Sequence, residues 1–128
     1  MDTRKSGLEW LRKKGRATDE RVAVSKYYTS DEAWPRTPVL WFEFPTDSAT
    51  KDRFGFLNLL CQFATNSPEF HHLRVPMGLF LACKHHLGLR EKEEKFSLYL
   101  SAEEPRLFRE LRGGGQIEFG VFRVDGAI

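Results

Sequence analysis

In "TPVLWFEFP" (residues 37–45) the side chains change character at every second step, with Val39, Trp41 and Glu43 opposite Leu40, Phe42 and Phe44. That period of two predicts a strand, bracketed by Pro38 and Pro45. "RVAVSKYYT" (21–29) is β-branched and aromatic, and "FSLYLS" (96–101) alternates cleanly, so both are predicted strands. "EFHHLRV" (69–75) is predicted to be extended, because Val75 precedes a proline and is pushed out of helical space. "QIEFGVFRV" (116–124) supplies a last predicted strand. The apolar run "KDRFGFLNLLCQFAT" (51–65) fits both periods; Gly55 and the density of aromatic residues favour a strand.

Three stretches carry a helical period instead. Ser6 followed by Glu9 has the spacing of a capping box, and Leu8, Trp10 and Leu11 then predict a short helix over 7–14 that Gly15 ends. Pro76 suits the first position of a helix running to Leu87, with Gly88 as its terminator. Leu107, Phe108 and Leu111 predict a third helix over 102–112, stopped by Gly113, Gly114 and Gly115. "REKEEK" (90–95) reads as a solvated charged connector. The element order predicts an α+β fold: a single globular domain over 1–128, with a mixed, mainly antiparallel sheet of about five or six strands and about three helices. Residues 1–5 are expected to form a mobile basic arm.

Composition supports a packed core. Of 128 residues, 41% are hydrophobic, and eleven phenylalanines and three tryptophans exclude a disordered chain. Cys61 and Cys83 both sit in apolar stretches, as small hydrophobes of a reducing compartment do. No run of about 18 apolar residues exists to span a membrane, and the first residues lack the apolar stretch of a secretory signal. A cytoplasmic location with no membrane partner is therefore expected.

Net charge is only +2, but it is unevenly spread. Residues 1–26 hold eight Lys or Arg against four acids, leaving the remainder slightly acidic. Arg12, Lys13 and Lys14 close the predicted first helix, where they also complement its dipole. Lys26, Tyr27 and Tyr28, with Trp34 and Arg36 just beyond, mix cations and flat rings. Such mixtures stack on bases and neutralise phosphates, form the centres of protein interfaces, or cover the edge of a core.

All four histidines fall within "PEFHHLRVPMGLFLACKHHLG" (68–88). On a strand, His72 shares a face with Phe70 and Arg74, and His71 with Leu73 and Val75. On the following helix, His85 and His86 lie off the core stripe, near the C-terminus, where the dipole suits them. A strand from His71 to Pro76 runs about 16 Å, and a helix from Pro76 to His85 returns about 14 Å, so the pairs meet if the helix folds back. Zinc would still need further ligands, and no CxxC or HExxH spacing supplies them. No metal and no cofactor is therefore expected. Catalysis by His72, His85 or His86, with Arg74 steadying an anion, would need a nucleophile that no motif marks. Glu43, charged amid aromatic neighbours, reads as the outward member of its strand or as a partner for Arg53 or Arg74.

Three functional readings follow. The first is a small intracellular binding or interaction module, non-catalytic, contacting a protein or a nucleic acid through the basic helix and the Tyr27–Arg36 loop. The second is a His-dependent small hydrolase or nuclease, metal-assisted or not. The third is a homo-oligomer subunit, pairing through the edge of "TPVLWFEFP".

Overall fold

The computed structural model describes residues 2–29, 38–51, 54–83, 89–90, 95–103, 107–111 and 117–124. Trp34, Arg36, His85, His86 and the three glycines at 113–115 lie outside them.

Helix α1 (Thr3–Lys13) begins earlier than its sequence suggests. Asp2 is its N-cap, accepting from the Lys5 backbone N–H at 3.1 Å, so Ser6 lies inside the helix and no capping box starts there. Gly15 ends the turn at φ +71°, a conformation that favours glycine. The buried face is Gly7, Trp10 and Leu11, while Leu8 stays largely exposed.

The class is α+β, but the strands form two sheets rather than one. In the first, β1 (Arg21–Ser25) runs parallel to β3 (Phe56–Gln62), which pairs antiparallel with β4 (Phe70–Pro76). In the second, β2 (Val39–Pro45) and β5 (Leu89–Arg90) pair antiparallel with the two edges of β6 (Lys95–Ser101). The sheets touch where Tyr28 bridges to Val39 and where the Trp41 N–H donates to Ser25 Oγ at 2.8 Å. Those contacts occupy the outer edge of β2 near Val39 and Trp41, which removes that stretch from pairing with a copy of the chain. The ambiguous run 51–65 resolves as a strand from Phe56 onward.

Alternation fixes which way each strand faces. Leu40, Phe42 and Phe44 of β2 meet Phe96, Leu98 and Leu100 of β6, and Leu57, Leu59 and Cys61 of β3 meet Leu73 and Val75 of β4, in one continuous core. Trp41 turns to the opposite face, stacks on Tyr99 at 5.9 Å and donates its indole N–H to Ser97. The other face of β3 carries Leu60, which packs with Phe70 against Trp10 and Leu11 of α1. The first sheet is thus covered on both sides, which explains why β3 reads as apolar at almost every position.

Three further elements depart from the sequence pattern. Helix α2 (Thr46–Lys51) has no apolar period to announce it; its Asp47 and Lys51 pair at 3.1 Å across one turn. Helix α3 (Met77–Ala82) is shorter than predicted: Pro76 is its N-cap rather than its first residue, and it ends at Cys83. Residues 107–111 are not helical. Phe108 sits at φ +66°, and the chain runs back along β6, with Ser101 N–H donating to Arg109 O and Leu111 N–H to Tyr99 O. Pairing with β6 and with Ile117 and Phe119 satisfies this backbone better than one isolated helical turn would. The predicted last strand is likewise broken by a 3-10 turn, Phe119–Phe122, capped by Glu118.

Candidate functional site: a basic and aromatic pocket

The end of α1, the β3–β4 hairpin and the segment at Arg123 enclose a pocket of about 380 Å³. Each wall has a local cause. Gly15 turns the chain back at the end of α1, and Arg16 N–H donates to Leu11 O at 3.0 Å, holding Arg16 beside the helix it has just left. Lys14 Nζ and Arg16 Cζ then lie 5.9 and 5.7 Å from the centre of the Trp10 ring, within cation–π range. In the hairpin, Phe63 N–H donates to Glu69 O at 2.9 Å, while Asn66 at φ +59° allows the tight turn between them. This places Phe63 and Glu69 at one mouth. Glu69 Oε2 accepts the Trp10 indole N–H at 3.1 Å.

Arg123 arrives from far along the chain. Val124 N–H donates to His72 O, and Leu73 bridges to Arg123, so this segment lies along the outer edge of β4. Arg123 Nη2 donates to His71 Nδ1 at 3.4 Å, and its guanidinium covers the Phe108 ring. His71 stacks on Phe63, with ring centres 4.9 Å apart, and meets Phe108 edge-on. The lining thus holds three cations, Lys14, Arg16 and Arg123, and one carboxylate among the described residues, Glu69. Arg16 Nη1 and Arg123 Nε are shielded from solvent with no hydrogen-bond acceptor among the described residues. Positive charge here is under-compensated, and an anion in the pocket would offset it.

Farther along β4, from His72 toward Arg74, a chain of polar side chains runs to Glu20. His72 is buried, and its Nε2 lies 2.7 Å from Asn58 Oδ1. Asn58 Nδ2 donates to Glu20 Oε1 at 3.0 Å. Arg74 donates to both Glu20 oxygens, at 3.1 and 2.6 Å, and its guanidinium stacks on Phe56 at 3.6 Å. Arg74 therefore engages Glu20; Arg53, the other cation expected near Glu43, lies outside the described residues. The hydrogen bonds from Arg74, aided by the one from Asn58 against the opposing effect of burial, hold the Glu20 carboxyl below its ordinary value. The same contact raises Arg74. Such an arrangement joins strand to loop, with the carboxylate already committed to a guanidinium.

The remaining expected site residues scatter. Arg12 is exposed and pairs loosely with Glu9 at 3.6 Å, and Lys13 is exposed on the same last turn. Lys26 lies over the Tyr28 ring, Tyr28 packs on Trp41, and Tyr27 donates its backbone N–H to Gln62. None of Lys26, Tyr27 and Tyr28 lines the pocket that Lys14 enters. No group of three or more His, Cys, Asp or Glu among the described residues is placed to hold a metal ion. Sequence reasoning found Lys14 and passed over Trp10, Arg16, Phe63, Glu69 and Arg123. Arg16 one residue past the glycine that turns the chain toward Trp10 was a readable signal; Arg123 had none, since its place depends on pairing with β4.

Among the described residues, no helix is long and apolar enough to cross a membrane. No family model matches the chain, and no curated protein or solved structure shows significant similarity to it.

Proposed function

We propose that this protein is a small binding or interaction module that acts without catalysis of its own, and that it takes an anionic partner at the pocket closing α1, with Arg12 and Lys13 on the adjoining turn. The observation that carries this reading is the gathering of Lys14, Arg16 and Arg123 around aromatic walls with two guanidinium nitrogens lacking acceptors among the described residues. The duties of the strand histidines also favour binding over chemistry: His72 is buried against Asn58, and His71 is packed between two phenylalanine rings. Of the contact surface expected from the sequence, this reading keeps the basic end of α1 and sets aside the Tyr27–Arg36 loop, since none of Lys26, Tyr27 and Tyr28 lines the pocket.

The test is salt elution from an immobilised sulfated polysaccharide, which responds to clustered positive charge. Combined Lys14→Ala, Arg16→Ala and Arg123→Ala should elute at clearly lower salt than the unsubstituted protein. A control that removes the same charge elsewhere, Arg21→Ala, Lys51→Ala and Lys95→Ala, should shift elution much less. Equal shifts in the two variants would sink the reading, because net charge and not the pocket would then govern binding.

A further inference from the structure

Resting on that reading, we infer that the ligand is a nucleotide unit, a flat base carrying phosphate, presented by single-stranded nucleic acid or as a free nucleotide. Charge alone would accept any anion, so the choice turns on shape and on Phe63. Phe63 is 57% exposed, unlike the other aromatic residues lining the pocket. One face of its ring is backed by the near-parallel ring of His71, with an interplanar angle of 29°. A ring supported from behind is pre-positioned, and offers the surface on which bases stack without sequence preference. Lys14, Arg16 and Arg123 share the same lining and supply the counter-charge a phosphate needs.

The volume suits a small ligand. Pockets for small ligands span about 300–1,000 Å³, and 380 Å³ lies at the low end. One planar ring with its phosphate is a compact occupant for such a pocket. Trp10 is too buried, at 6% exposure, to take the base itself. It serves as the wall that keeps the cations in place, its indole N–H fixed by Glu69. The base therefore goes to Phe63 and the phosphate to the three cations.

The test measures binding of the full-length chain, by fluorescence anisotropy and by competition, to four probes. These are a labelled ten-residue oligothymidine, adenosine monophosphate, inorganic tripolyphosphate and polyglutamate. Phe63→Ala removes an exposed side chain and leaves the fold in place. It should weaken the base-bearing probe about five-fold or more, while tripolyphosphate binding stays within about two-fold. Lys14→Ala should weaken both. Phe63-dependent binding of the oligonucleotide with little response to the monophosphate identifies single strands as the source; saturable monophosphate binding identifies the free nucleotide. Equal affinity for polyglutamate with no effect of Phe63→Ala overturns the nucleotide assignment and leaves the anion-binding reading standing. Failure of all four probes to bind overturns both.

Discussion

Asn58 divides its amide between a carboxylate and an imidazole, and the direction of each bond is fixed by its neighbours. Its Nδ2 donates to Glu20 and to Arg21 O, so Oδ1 must accept from His72, which places that histidine's proton on Nε2. Glu20 then receives Arg74 on both oxygens, the planar fork that lysine cannot reproduce. The consequence is a stability that depends on acid. A carboxyl whose folded value is depressed contributes stability above its unfolded value, here the ordinary 4.5, and loses it as pH falls through the folded value. Arg74 stays charged throughout and adds nothing to that acid limb. Glu20→Gln should therefore be less stable than the unsubstituted protein at neutral pH, and the gap should close as pH drops below 4.5. Urea unfolding at a series of pH values measures this directly; a gap that persists unchanged at low pH would mean the ion pair is not its cause.

At the scale of elements, α1 is seated by the residue it lacks. A β-carbon at Gly7 would stand 3.0 Å from Val24 Cγ1 and 3.4 Å from Leu60 Cδ1 and Phe70 Cε2. Gly7→Ala adds helix propensity worth about 1 kcal/mol against one tight contact with the tip of a side chain, so it should leave stability near that of the parent. Gly7→Leu has no space beyond the β-carbon and should cost about 1–3 kcal/mol by overpacking, read as a lower denaturation midpoint. A midpoint unchanged by leucine would show that α1 does not lie this close to the sheet. The strands β2 and β6 were legible because alternation records a face, and a face is what a sheet buries; β4 was legible because the proline after Val75 keeps that residue extended. Helix α2 was not, because its polar sequence carries no stripe. Residues 107–111 misled for the opposite reason: Leu107, Phe108 and Leu111 have helical spacing, but neighbours at β6 and Phe119 supply the backbone partners. The pocket followed the same rule. Lys14 sits on a local element and could be read, whereas Arg123 reaches His71 by a pairing 50 residues distant along the chain (Leu73 with Arg123), which no local pattern encodes.

For the whole molecule, the question is whether two sheets make one cooperative structure. The core residues argue that they do. Phe80 of α3 lies 4.8 Å from Phe44 of β2, 5.8 Å from Phe96 of β6 and 6.2 Å from Phe119 of the 3-10 turn, ring centre to ring centre. The same buried cluster continues through Leu57, Leu59, Leu73 and Val75 of the first sheet. On the far side of β3, Leu60 and Phe70 carry the packing on to Trp10. Removing Phe80 to alanine should cost about 3–5 kcal/mol, the usual loss for a buried aromatic ring with its cavity. Cooperativity predicts more than a magnitude. Two reporter proteins, one keeping Trp10 alone and one keeping Trp41 alone, place the fluorescence signal on opposite sheets. In each, Phe80→Ala should lower the urea midpoint by the same amount, and the two reporters should unfold together. If the Trp41 transition moved while that of Trp10 stayed, the sheets would be separate folding units. The pocket walls from α1, β3 and β4 would then belong to the first unit, while Arg123, resting on Phe108 beside β6, would tie that pocket to the second.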